Sequence, residues 1–171
     1  MSKDCTNRGG TRAGAGRKPK PLAEKIKEGI PASAMPEPPE LTGVEMPEIK
    51  SYLSDEQRMG ELQGKEIFEE TYRWVAQHRC EHIVGTPLIE QYAITMARAI
   101  QLERITSEYG FISKHPTTGA AISSPFVSMA QNYLKQANII WQQIFGIVQE
   151  NSREPVTGNP QDDMMERLLG M

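Results

Sequence analysis

Apolar side chains recur at helical spacing in two long runs of this chain. Ile89, Tyr92, Ala93, Met96, Ala99 and Ile100 fall on one stripe, with Glu90, Gln91, Arg98, Gln101 and Arg104 off it. Phe126, Met129, Ala130, Tyr133, Ala137, Ile140, Trp141, Ile144 and Val148 make a second stripe. Spacings of three and four mark the buried face of an amphipathic helix. Thr86-Pro87 opens the first run and Gly110 closes it; Ser124-Pro125 opens the second, which weakens at Gly146. Proline suits a first helical turn because its missing N–H would be unbonded there, and a preceding Thr or Ser can cap the exposed donors. The two runs therefore predict an antiparallel helical hairpin. Its connecting loop, Phe111 to Ser123, is expected to fold as a small hairpin about Pro116-Thr117-Thr118-Gly119. Beyond Gly146 the pattern allows either a continuing helix through Gln149 or an extended Ile147-Val148.

A third helix is expected from Asp55 to about His82. Ser54 and Gln57 form a capping-box pattern, and Met59, Leu62, Phe68, Tyr72 and Val75 are its apolar contribution. Gly60 and Gly64 weaken its start, each by about 1 kcal/mol relative to alanine. Gly85 then marks a turn. Pro155, Gly158 and Pro160 mark a linker, followed by Asp162 to Met171, where Met164, Met165, Leu168 and Leu169 share one helical face. So short a helix is marginal alone and needs a surface to rest on. At the other end, residues 1–21 are rich in Gly, Arg, Lys and Pro, too poor in apolar groups to offset chain entropy. Leu22 to Gly29 is long enough for two helical turns. Pro31 to Pro47 reads as an extended linker or strap, with Met35, Leu41, Val44 and Met46 spaced along it. The fold class is all-α: a small helical bundle with a long antiparallel helical hairpin, a disordered basic N-terminal arm and a short C-terminal helix. The divisions are 1–51 for arm and strap, 52–150 for the helical core, and 151–171 for linker and tail.

Charge adds a polarity that the hydrophobic pattern lacks. The 171 residues carry a net −3, but residues 1–27 hold eight Lys or Arg against two acids, so the remaining 144 carry −9. A basic arm on an acidic body is the pattern of a nucleic-acid-binding tail; a merely solubilising tail is the alternative. The candidate DNA contacts are Arg12, Arg17, Lys18, Lys20, Lys25 and Lys27. Arg17-Lys18-Pro19-Lys20-Pro21 is extended and cationic, suited to a narrow minor groove. It is similar to the Gly-Arg-Pro core of an AT-hook, although Lys18 separates Arg17 from Pro19. Cys5 and Cys80 lie too far apart in sequence to suggest a disulfide framework, which fits a cytoplasmic protein. No apolar run reaches the ~18 residues of a membrane span, and the charged N-terminus is unlike a secretory signal.

Candidate chemistry is sparse. His78 and His82 share a face if helical, but Cys80 points away and no second ligand pair follows at zinc spacing, so no metal is expected. Gly9 to Lys18 is glycine-rich yet lacks the Gly-Lys-Ser/Thr of a phosphate loop. No nucleophile–base pairing stands out, and Glu69 and Glu70 belong to a solvated helix face. The chain reads as a non-enzyme without cofactors.

Taken in order, the parts resemble a tailed-phage terminase small subunit with a Gly-Arg-x-Pro-Lys-Pro arm. The matching pieces are Gly16-Arg17-Lys18-Pro19-Lys20-Pro21, a Pro-rich strap ending Met46-Pro47, and Leu53-Ser54-Asp55-Glu56 before a helix that carries Trp74. His115-Pro116 and Ser124-Pro125-Phe126 follow, then Phe145-Gly146-Ile147 with Ser152-Arg153. The likeness spans roughly residues 15–153 and departs at Gln149, where the family often has proline. It implies a non-enzymatic ring in the bacterial host cytoplasm. Such a ring binds double-stranded viral DNA at the packaging site, and it recruits and regulates the large terminase subunit, the ATPase and nuclease. Apolar surface on residues 87–149 broader than one three-helix core needs points to self-association through Tyr92, Met96, Ile100, Tyr133, Ile140, Trp141 and Phe145. Met164, Met165, Leu168 and Leu169 are then the expected anchors for the large subunit, tethered by Pro155 to Pro160. The alternative is that this tail packs on its own subunit. The alternative function is a helical homo-oligomeric adaptor that binds only protein.

Overall fold

The computed structural model describes residues 20–29, 45–53 and 62–169, the side chains of Arg167 and Leu169 excepted. Arg12, Arg17 and Lys18, the Ser54/Gln57 capping pair, the strap residues Met35, Leu41 and Val44, and the expected disorder of residues 1–19 lie outside that range. The described chain is mostly helical. In order it contains α1 (Leu22–Lys27), a 3-10 turn (Ser51–Leu53), α2 (Gly64–Gln77), α3 (Thr86–Tyr109), β1 (Ile112–Lys114), β2 (Ala121–Ser123), α4 (Pro125–Asn151) and α5 (Pro160–Leu169).

The long hairpin forms as its start and stop residues require. Proline occupies the first turn of both α3 and α4. Neither helix is capped by a side chain: Gly85 and Ser124 hold the N-cap positions in extended conformation without a capping bond. Gly110 ends α3 at φ 85°, ψ 167°, a region that side-chain-bearing residues essentially never enter. From there the chain turns into β1, which pairs antiparallel with β2 in the register Ile112↔Ser123, Ser113↔Ile122, Lys114↔Ala121. α4 does not break at Gly146. It runs on to Asn151, because a glycine inside a helix weakens it without stopping it.

α2 ends earlier than the expected His82. Arg79 takes φ 56°, and the Arg79 and Cys80 N–H groups donate back to the Ala76 and Val75 carbonyls at 2.9 and 3.1 Å. That pair of bonds is a Schellman closure with arginine where glycine is usual. At the other end, a Cβ on Gly64 would stand 3.1 Å from Leu53 Cδ2 and 3.2 Å from the Leu53 carbonyl oxygen. Gly64 is thus what lets the 3-10 turn close onto the start of α2.

α3 and α4 pack along each other, α2 lies on α3, α5 on α2, and α1 touches α4. The core between them is aromatic. Trp141 lies 5.1 Å from Trp74 and 5.2 Å from Tyr92, centroid to centroid, and Phe145 lies 5.9 Å from Trp74. Burying one large apolar side chain of this kind contributes about 1.5–3 kcal/mol, so this cluster holds the three longest helices as one unit.

Candidate functional site

The basic segment continues from the arm onto the body. Lys20, Lys25 and Lys27 stand on or just before α1, which rests on α4. Lys20 pairs with Glu28, whose hydrogen bond raises the lysine's affinity for its proton. One of the six candidate DNA contacts is therefore engaged within its own chain, while Lys27 is exposed.

The self-association residues sort differently from expectation. Tyr92, Met96, Ile100, Ile140 and Trp141 are buried inside the protomer. Tyr92 is fully enclosed, and its hydroxyl has no hydrogen-bond partner among the described residues. Burial, with the charge of Glu70 second, raises that hydroxyl's pKa. These five side chains belong to the protomer's own core, so in this arrangement they are not open to another copy. A helical stripe shows which face is buried but not what buries it. Tyr133 is partly exposed, and Phe145 is half-buried against the core.

The tail takes the alternative arrangement, seated on its own subunit. α5 folds onto its own body: Met164 is buried, and Met165 and Leu168 pack partly buried beside it. The preceding linker is clasped. Trp74 Nε1–H donates to the Gly158 carbonyl at 3.0 Å and more weakly to that of Thr157 at 3.3 Å. The Thr157 N–H donates to His78 Nε2 at 3.3 Å, so the other ring nitrogen, Nδ1, carries the proton given to the Trp74 carbonyl at 2.8 Å. Gln161 is bonded to Asn138 on α4. Met164 is thus seated in its own subunit in this arrangement.

His78 is therefore a structural link. Cys80 is buried, its Sγ–H donates to the His78 carbonyl at 3.3 Å, and burial pushes its thiol up to about 11. Among the described residues no three His, Cys, Asp or Glu side chains gather where an ion could sit. Another polar cluster was not anticipated. Buried Glu90 on α3 accepts hydrogen bonds from Tyr52 Oη–H at 2.6 Å and Lys50 Nζ at 2.8 Å. Burial pushes the Glu90 carboxyl up, the two donors together outweigh it, and the net shift is downward. This cluster ties the 45–53 segment to the hairpin.

The sequence reading also missed the most open apolar surface. At the turn end of the hairpin Tyr109, Phe111 and Ile112 are 70%, 65% and 71% exposed, with Ile122 and Met129 exposed beside them. Phe126 packs against Tyr109 in a tilted arrangement, centroids 6.5 Å apart. The available signal was Phe111, Ile112 and Ile122 within the connecting loop. Among the described residues no helix is long and apolar enough to cross a membrane. A scan against protein-family models and searches of curated proteins and solved structures find no match.

Proposed function

We propose that the chain is the small subunit of a viral DNA-packaging terminase, a self-associating DNA-recognition component that recruits the large subunit. The observation that carries this reading is charge segregation on this architecture. Eight of nineteen Lys and Arg lie in the first 27 residues, ahead of an acidic helical-hairpin body. The arm supplies affinity for phosphates, and several copies together multiply weak arms into useful binding. α1 touches α4, so Lys20, Lys25 and Lys27, on or just before α1, stand near the hairpin.

The test is DNA retention against salt. Each phosphate neutralised contributes about −0.9 to the slope of log K on log salt. Deleting residues 1–21 is expected to weaken binding and flatten that slope. An unchanged slope overturns the arm's role and moves DNA to another surface such as Lys114 or Lys135. The protein-only adaptor is favoured by one observation, the Lys20–Glu28 pair that occupies one arm cation. Absence of salt-dependent retention by the full chain decides for it.

A further inference from the structure

The turn end of the hairpin carries two features, exposed apolar side chains and an unfinished sheet. Tyr109, Phe111 and Ile112 are the most open large apolar side chains among the described residues. By the register, Ile112 shares one face of the sheet with Ser123, and Ile122 shares the other with Ser113. Apolar groups therefore flank the sheet on both faces, where a partner strand would cover them.

The sheet is equally incomplete. It has two strands of three residues each, and an isolated two-stranded hairpin is marginal in water. The Ser124 N–H donates to the Phe111 carbonyl at 2.8 Å, and the His115 N–H to the Ala120 carbonyl at 2.9 Å. Those bonds set the phase of the ladder. In an antiparallel pair alternate residues bond inward, so Ile112 and Lys114 on β1, and Ala121 and Ser123 on β2, turn their N–H and C=O outward. Each edge thus offers two residues ready to bond another strand.

Charge identifies the occupant. Residues 28–171 carry −9, yet residues 107–129 hold one acid, Glu108, and one base, Lys114. Two copies repel over most of their surface and meet without net repulsion here. We propose that this end of the hairpin is a contact between copies of the chain, in which the β2 edge of one pairs antiparallel with the β1 edge of the next while Ile112 on one face and Ile122 on the other flank the seam. Because the two edges differ, the contact is head-to-tail and finishes its open edges only when the set of copies closes on itself. This rests on the self-association in the reading above and names its surface.

The experiment is a native mass measurement on the full-length chain at micromolar concentration, with Ile112→Asp and Ile112→Pro beside it. Ile112 is exposed, so both variants are expected to keep the helical circular dichroism of the parent. The parent is expected to assemble. Ile112→Asp puts a charge on one face of the seam and is expected to raise the dissociation constant about thirtyfold or more, the loss typical of one central contact residue. Ile112→Pro keeps an apolar side chain but removes one outward N–H, and is expected to weaken assembly as well. A monomeric parent overturns self-association itself. An assembled parent with both variants equally assembled overturns this surface and leaves self-association standing. Dissociation by aspartate alone overturns the strand pairing.

Discussion

Arg79 holds a backbone conformation that glycine would hold at lower cost. A left-handed residue with a side chain is disfavoured by roughly 1–2 kcal/mol, and Arg79 is exposed, with no packing to offset it. Arg79→Gly is expected to stabilise the fold by about 0.5–1 kcal/mol, after glycine's own entropy is counted, as read from denaturant unfolding. A lower midpoint would mean that the arginine side chain contributes where the geometry assigns it nothing. Glu90 gives the opposite case. Its carboxyl is held below the usual 4.5, so its contribution is present above that value and lost as pH falls through the folded one. Glu90→Ala is expected to lower Tm by about 2–6 °C at neutral pH. The difference from the parent should shrink as pH drops below 4.5. Neither residue was legible in the sequence. A Schellman closure is sought at glycine, and Glu90 belongs by spacing to the polar face; only Lys50 and Tyr52, about forty residues away, make it a buried acceptor.

Whole elements were easier to read. α3 and α4 follow from period, from proline at their first turns and from Gly110, because each signal is local and all agree. The loop hairpin followed from its turn residues in the same way. The end of α2 and the seat of α5 were not local questions. α2 stops where a backbone closure wins over a continuing pattern, and α5 is placed by contacts of its preceding linker that span 84 and 79 residues. That placement has a direct test. Trp74→Phe keeps the aromatic packing and removes the Nε1–H that holds Thr157 and Gly158. Protease cleavage or hydrogen exchange over residues 153–169 is expected to speed by about fivefold to thirtyfold, equivalent to one lost hydrogen bond of ~1–2 kcal/mol. The α3–α4 hairpin should keep its protection. Equal loosening of both would show that the tail is not a separate unit.

At the scale of the molecule, the long hairpin joins two ends with different character. One carries the aromatic core, the clasped tail and the tied 45–53 segment; the other carries the open sheet and the apolar patch. Periodicity marked both ends as helix but could not divide inside from outside between subunit and assembly. That is why five residues expected at a contact proved to be core, while the open patch lay in the loop. The aromatic end also makes the protein its own optical reporter. Trp74 and Trp141 are the chain's two tryptophans, and they lie in one cluster with planes tilted by 43°. Tryptophan emission therefore originates at a single spot beneath the tail. Release of the tail wets the Trp74 indole while Trp141 stays enclosed, so it should register as a partial red shift that precedes the full shift of unfolding. Events at the far end, including assembly, should leave the tryptophan emission still.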